Sequence, residues 1–99
     1  MEYIVKRTDI FIGWLKKVKD PKSRARLIIR TNRLKQGNFG DHKSLGNELF
    51  ELRITFGPGY RVYYTVQGRQ VVLLISGGDE ASQKKDISKA REILAQIKE

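Results

Sequence analysis

Arg53 and Arg61 are the residues of this 99-residue chain whose type and spacing best suit chemistry on an anion. In Leu49–Tyr64, LFELRITFGPGYRVYY, apolar Phe50, Leu52, Ile54 and Phe56 alternate with Glu51, Arg53 and Thr55, and Tyr60, Val62 and Tyr64 alternate with Arg61 and Tyr63. This is the pattern of two half-buried strands, with both arginines on one face. Gly57-Pro58-Gly59 between them is turn chemistry, since Pro presets φ at one corner and Gly59 accepts the positive φ of a type II turn. A hairpin centred near Pro58 sets Arg53 opposite Tyr63 and Arg61 on the diagonal, about 5–8 Å away. A guanidinium stays protonated and offers two parallel hydrogen bonds to phosphate oxygens, so the pair reads as an anion-binding floor and not as a base.

Other groups must therefore move protons. The candidates are Glu51 on the same strand face, Asp86 near the start of the last helix, His42, and a lysine whose pKa is lowered by neighbouring cations. Lys84 and Lys85 flank Asp86, Lys43 follows His42, and Tyr63 next to Arg61 offers a ring for stacking. A lone histidine in a loop is more often an exposed bystander than a catalyst.

Composition narrows the class of partner. Lys+Arg 20 against Asp+Glu 11 gives a formal net charge of +9, which favours a polyanion, nucleic acid first. No apolar run approaches the roughly 20 residues of a membrane span, and no secretion signal pattern opens the chain, so no membrane partner and a cytoplasmic location are expected. With no cysteine and one histidine, disulfides and thiolate chemistry are excluded and a structural zinc site is disfavoured. The length suits one domain over residues 1–99, without space for a separate cofactor-binding domain, and no cofactor is expected.

Several elements must hold these side chains. Glu2–Lys6 reads as a short strand, and Thr8-Asp9 caps a helix whose Phe11, Trp14, Leu15 and Val18 form one apolar face, with Trp14 a core anchor. Asp20-Pro21 stops it and opens a second helix running to Gly37. That helix is basic through Lys22, Arg24, Arg26, Arg30, Arg33 and Lys35, usually a solvated face but here with only Asp20 nearby to relieve the repulsion. Residues 37–47, GNFGDHKSLGN, read as a loop. After the central hairpin, Val71–Ile75 is a continuous apolar run, the mark of a central strand covered on both faces. Gly77-Gly78-Asp79 reads as a tight strand exit, and only weakly as a phosphate-cradling loop. Ile87, Ala90, Leu94 and Ile97 place a final amphipathic helix from about Ser82. The order is βααβββα, a single α+β domain.

The ordered series of helical hairpin, ELR strand, GPGYRVYY hairpin, VVLL strand and GGD…SQ…DI helix resembles the bacterial RelE/ParE toxin superfamily. Within it, the chain resembles the addiction module killer proteins related to HigB-type and phage Gp49-like toxins. The resemblance covers nearly the whole chain and implies a RelE-like fold: a twisted antiparallel four-stranded sheet, a helical hairpin on one side and a polar concave face on the other. It further implies a toxin of a type II toxin–antitoxin system, a metal-independent, ribosome-dependent mRNA endonuclease. The partners implied are mRNA, the ribosome and a cognate antitoxin, expected to be of helix-turn-helix type. By the same resemblance, Arg61 stabilises charge on the scissile phosphate and Arg53 contacts RNA phosphate or takes part in proton transfer. Glu51 stands where RelE has a further basic residue, Asp79 or Glu80 where RelE has an arginine, and Asp86 where it has a tyrosine. HigB-type toxins use an acidic residue in this late segment, which Asp86 matches.

Metal-free RNA cleavage needs a base for the ribose 2′-OH, cations for the developing phosphorane charge and an acid for the leaving 5′ oxygen. Arg61, Arg53, Asp86 and Glu51 are the catalytic candidates, and Lys43, His42, Tyr63, Arg33, Lys84 and Lys85 the RNA-binding ones. Two other readings stay open: a ParE-like noncatalytic inhibitor of DNA gyrase, and a noncatalytic RNA-binding module.

Overall fold

The computed structural model describes residues 2–98. The elements are β1 (Ile4–Arg7), α1 (Asp9–Lys17), α2 (Pro21–Asn32), β2 (His42–Gly46), β3 (Leu49–Ile54), β4 (Tyr60–Gln67), β5 (Val71–Asp79) and α3 (Gln83–Ile97), with short 3-10 turns at Arg33–Gln36 and Glu80–Ser82. The expected order holds, with one strand more. His42–Gly46 lies inside the stretch expected to be a loop and pairs antiparallel with β3, so the sheet has five strands in the order β1-β5-β4-β3-β2. It is also mixed, because β1 runs parallel to β5.

Helix boundaries follow the expected chemistry. The Thr8 side chain accepts the Phe11 N–H at 3.0 Å and donates to the Ile75 carbonyl at 2.6 Å, so one hydroxyl caps α1 and pins it to β5. Asp20 caps α2, accepting the Ser23 hydroxyl at 2.8 Å with Pro21 in the first turn. That hydrogen bond holds the Asp20 carboxyl below its ordinary pKa. A carboxylate with a lowered folded-state pKa stabilises above its unfolded pKa, and the contribution is lost as pH falls through the folded value. Asp20→Asn is therefore expected to keep the cap at neutral pH and to flatten the acid limb of stability, checked by thermal melts across the acidic range.

The sheet carries a core on each face. Phe11, Val18, Leu27 and Leu34 from the helical hairpin pack on Leu52, Ile54, Val62, Tyr64, Val72 and Leu74. Trp14 is half-buried against this cluster, near Tyr60 and Phe11. On the opposite face α3 packs through Ala90, Ile93 and Leu94 on Leu49, Tyr63 and Ile75. Val71–Ile75 is thus central and covered on both sides, as its unbroken apolar run requires. The ladder between β4 and β5 shifts between Tyr63, which pairs with Ser76, and Tyr64, which pairs with Leu74; Ile75 is the extra residue of a bulge.

Three expectations change here. Arg53 pairs directly with Arg61, and Glu51 with Tyr63, so the hairpin is centred one residue earlier than Pro58. Its turn is closed by the Gly59 N–H on the Phe56 carbonyl. The shift moves the partner by two residues, which leaves both arginines on one face and brings them closer. Tyr63, expected to be an exposed stacking surface, is fully buried beneath α3 because the strand's second face is a core as well. Gly77 and Gly78 are neither a strand exit nor a phosphate loop. They are ladder positions of β5, paired with Val62 and Arg61.

Candidate functional site

Beneath and beside the first turns of α3, two transverse rows of side chains share one face of the sheet. One row is Lys43, Glu51, Tyr63 and Ser76; the next is Arg53, Arg61 and Gly78, all set by strand register. Arg53 and Arg61, directly opposite each other, have Cβ atoms about 4.5–5.5 Å apart. Like charges this close need an anion between them, and Glu51 supplies one. Its Oε1 accepts Arg53 Nε at 2.9 Å and lies 3.9 Å from Arg61 Nη1, while its Oε2 accepts Gln83 Nε2 at 2.8 Å. The carboxylate has no exposed surface. Its lone pairs are thus directed at groups that orient the arginines, and Gln83 fixes it from the first turn of α3.

The two arginines are held differently. Arg53 is 32% exposed and tied to Glu51, a hydrogen bond that raises its pKa further. Arg61 is 14% exposed, its Nε has no acceptor, and Glu51 lies beyond hydrogen-bond distance. A buried donor left unmatched beside a cleft calls for an explanation, and an anionic ligand provides one. Arg61 lines a shallow depression with Thr55, Gly57, Pro58, Gly59 and Glu80, formed by the β3–β4 turn and the end of β5.

Asp86 enters from α3. Its carboxylate accepts the Ser82 hydroxyl and lies over Gly78, the ladder partner of Arg61; a Cβ at Gly78 would overlap it. This explains the second glycine. Tyr63 lies beneath the same groups with a buried hydroxyl that has no partner. Burial, then the nearby Glu51 and Asp86 carboxylates, push its pKa upward, so it stays a neutral phenol. Neither Gln83 nor the Tyr63 hydroxyl was singled out from sequence as part of this arrangement.

The remaining candidates scatter. Lys43 is exposed at the β2 edge, in the row of Glu51. His42 is the partner of Leu52 and so belongs to the hairpin face, its ring edge-on to Phe39 and its Nδ1 2.9 Å from the Gly40 carbonyl. It is not brought to the arginines. Lys84 and Lys85 are exposed at the start of α3. Arg33 lies across the molecule's end in a larger cleft, about 620 Å³, walled by α2, residues 38–41 and the end of β3. Arg53 lines that cleft as well, and Ile54 and Thr55 line both concavities.

No protein-family model matches the chain. It is 47% identical over 92 residues to an uncharacterized protein of Haemophilus influenzae, an alignment spanning 93% of this chain and 92% of that protein, and it belongs to the same family. Among solved structures it is similar to a free-state double arginine-to-alanine mutant of the E. coli toxin RelE. The TM-score is 0.67 at 23% identity, covering 84% of this chain and 90% of the other. It is also similar to a chain of the RelBE2 toxin–antitoxin complex from Mycobacterium tuberculosis, with TM-score 0.66 at 20% identity, covering 81% of this chain and all of the other. At these identities what is shared is the fold, and the fold is RelE-like.

Proposed function

We infer that the family this chain shares with the Haemophilus influenzae protein is one of toxins, and that the chain is the toxin of a type II toxin–antitoxin pair acting as a ribosome-dependent, metal-independent mRNA endonuclease. The observation that carries the reading is Arg61: a nearly buried guanidinium with an unmatched Nε, paired across the ladder with Arg53 on a RelE-like sheet.

In this reading Arg61 forks onto the non-bridging oxygens of the scissile phosphate, and Arg53 adds a second cation. Glu51, sealed from solvent, orients both and does not serve as the base. Asp86 lies beside the row of Arg61 and takes the 2′-OH proton; the alkoxide attacks phosphorus and the 5′ oxygen leaves with a proton from solvent. Straining mRNA into line on the ribosome supplies the remaining acceleration by positioning. The antitoxin partner, of helix-turn-helix type in this reading, follows from the resemblance and from the complex in which a protein of this fold occurs.

The charge balance favours one competitor. Glu51 and Asp86 offset Arg53 and Arg61 locally, as a noncatalytic ParE-like gyrase inhibitor would tolerate. Inducing the chain and mapping mRNA 5′ ends, with and without ribosomes, separates the two. Codon-linked cuts that need ribosomes are expected; intact mRNA together with lost DNA supercoiling would replace the nuclease reading by the gyrase one.

A further inference from the structure

The arginine pair is electrically balanced, yet the chain carries a formal net charge of +9. Part of that excess lines the larger cleft. Arg26, Arg30, Arg33 and Arg53 line it together with a single carboxylate-bearing residue, Asp41, and with apolar Ile29, Ile54 and Phe56. Arg30 is immobilised: its Nη1 donates to the Phe39 carbonyl at 3.1 Å, and its Nη2 to the Asp41 carbonyl at 3.3 Å and the Arg53 carbonyl at 3.1 Å. It thereby ties α2 to the start of β2 and the end of β3, and its hydrogen bonds go to backbone carbonyls. Gly40 is the residue that leaves space for it, since a Cβ there would lie 2.8 Å from Nη2. Arg26 sits over the Phe56 ring, 4.1 Å from its centroid, and Arg26 and Arg33 are exposed. Among the described residues neither has a carboxylate within ion-pair distance.

Fixed cations around an aromatic–guanidinium platform match a flexible strand that offers both phosphates and unpaired bases. We propose that this cleft is a second binding site, for single-stranded RNA flanking the phosphate held at Arg61. An unpaired base stacks on the Arg26–Phe56 platform, the neighbouring backbone phosphate lies on Arg33, and the strand passes over Thr55, which lines both concavities, to the arginine pair. The proposal rests on the RNA-directed reading of the site and assigns most of the affinity to a surface separate from the cutting groups. An acidic protein segment would satisfy the arginines but leave the platform unused.

The test is fluorescence anisotropy with a labelled single-stranded RNA oligonucleotide and the full chain, over a range of salt. The double variant Arg26→Gln/Arg33→Gln, both positions exposed, is expected to bind at least tenfold more weakly and to lower the slope of log K against log salt by about 0.7, for the one phosphate on Arg33. Phe56→Leu keeps the apolar volume and is expected to weaken binding severalfold with the slope unchanged, because stacking contributes about 1–3 kcal/mol per base. Circular dichroism confirms the fold of each. Unchanged affinity in both variants overturns the proposal, as does competition by polyglutamate equal to that by RNA with no effect of Phe56→Leu. The outcome is separable from the nuclease reading. Cleft-dependent binding with no cleavage on ribosomes supports the cleft and removes the nuclease, whereas cleavage with cleft-independent affinity does the reverse.

Discussion

Arg61→Ala is expected to reduce RNA cleavage on ribosomes by about 10²–10³-fold, the usual cost of removing one preorganised donor to developing negative charge. Growth arrest on induction should be relieved to match, and thermal stability should change little. The second half follows from how this side chain is held. Its Nε meets no acceptor, and the nearest anion is 3.9 Å away, so truncation breaks no hydrogen bond. Glu51 meanwhile retains Arg53 at 2.9 Å and Gln83 at 2.8 Å and is not left as an unpaired buried charge. Arg61→Lys keeps the charge but not the two-pronged geometry and should fall between the two. Melting curves and mapped mRNA ends on the same preparations check both halves; a folded Arg61→Ala protein with full activity would remove Arg61 from the site.

Gly77→Ala carries the largest expected loss of stability. A Cβ at this position falls within the Trp14 indole, a rigid ring packed against Phe11 and Tyr60 at centroid distances of 5.8 and 6.2 Å, so the ring and these neighbours must shift together. Overpacking of this kind costs about 3 kcal/mol at the upper end of its usual range. For a domain of this size that lowers Tm by about 12–24 °C. Gly78→Ala is the informative contrast. Its Cβ meets the Asp86 carboxylate, the end of a side chain that can swing aside, so the melt should move far less while Asp86 leaves its place next to the arginine row. Differential scanning calorimetry on the two variants gives the comparison directly.

Legibility in sequence tracked the strength of local pattern. The alternation in Leu49–Tyr64 put Arg53 and Arg61 on one face, and Thr8 and Asp20-Pro21 marked the helix starts where they lie. His42–Gly46 escaped because HKSLG is an edge strand: four of its five residues are exposed, so no apolar period is imposed on it. Its connection to β3 is a two-residue turn with Asn47 at φ 50 and Glu48 at φ 68, and glutamate is an unusual choice for that left-handed position. Tyr63 was misplaced because a polar partner face was assumed. In fact α3 covers that half of the sheet, and the Tyr63-Tyr64 pair supplies one ring to each core. Gly77-Gly78 looked like a break because glycine is a weak strand former; the constraint is long-range, from Trp14 on one side and Asp86 on the other. Gln83 gave no signal, since its link to Glu51 spans 32 positions and depends on how α3 docks.

The bulge at Ile75 bears on how sequences of this kind can diverge. Tyr63 and Tyr64 are consecutive while their partners Ser76 and Leu74 are two apart, so loss of Ile75 would close the ladder and leave Gly77 toward Trp14 and Gly78 toward Asp86. A residue added or lost at Gly77 or Gly78 would instead turn every residue beyond it to the opposite face. The bulge is therefore the place within β5 where length can change without exchanging its two faces. Insertions and deletions among relatives should gather in the exposed Gly68–Gln70 turn, in residues 37–41 and at Ile75, leaving the count from Ser76 to Asp79 fixed.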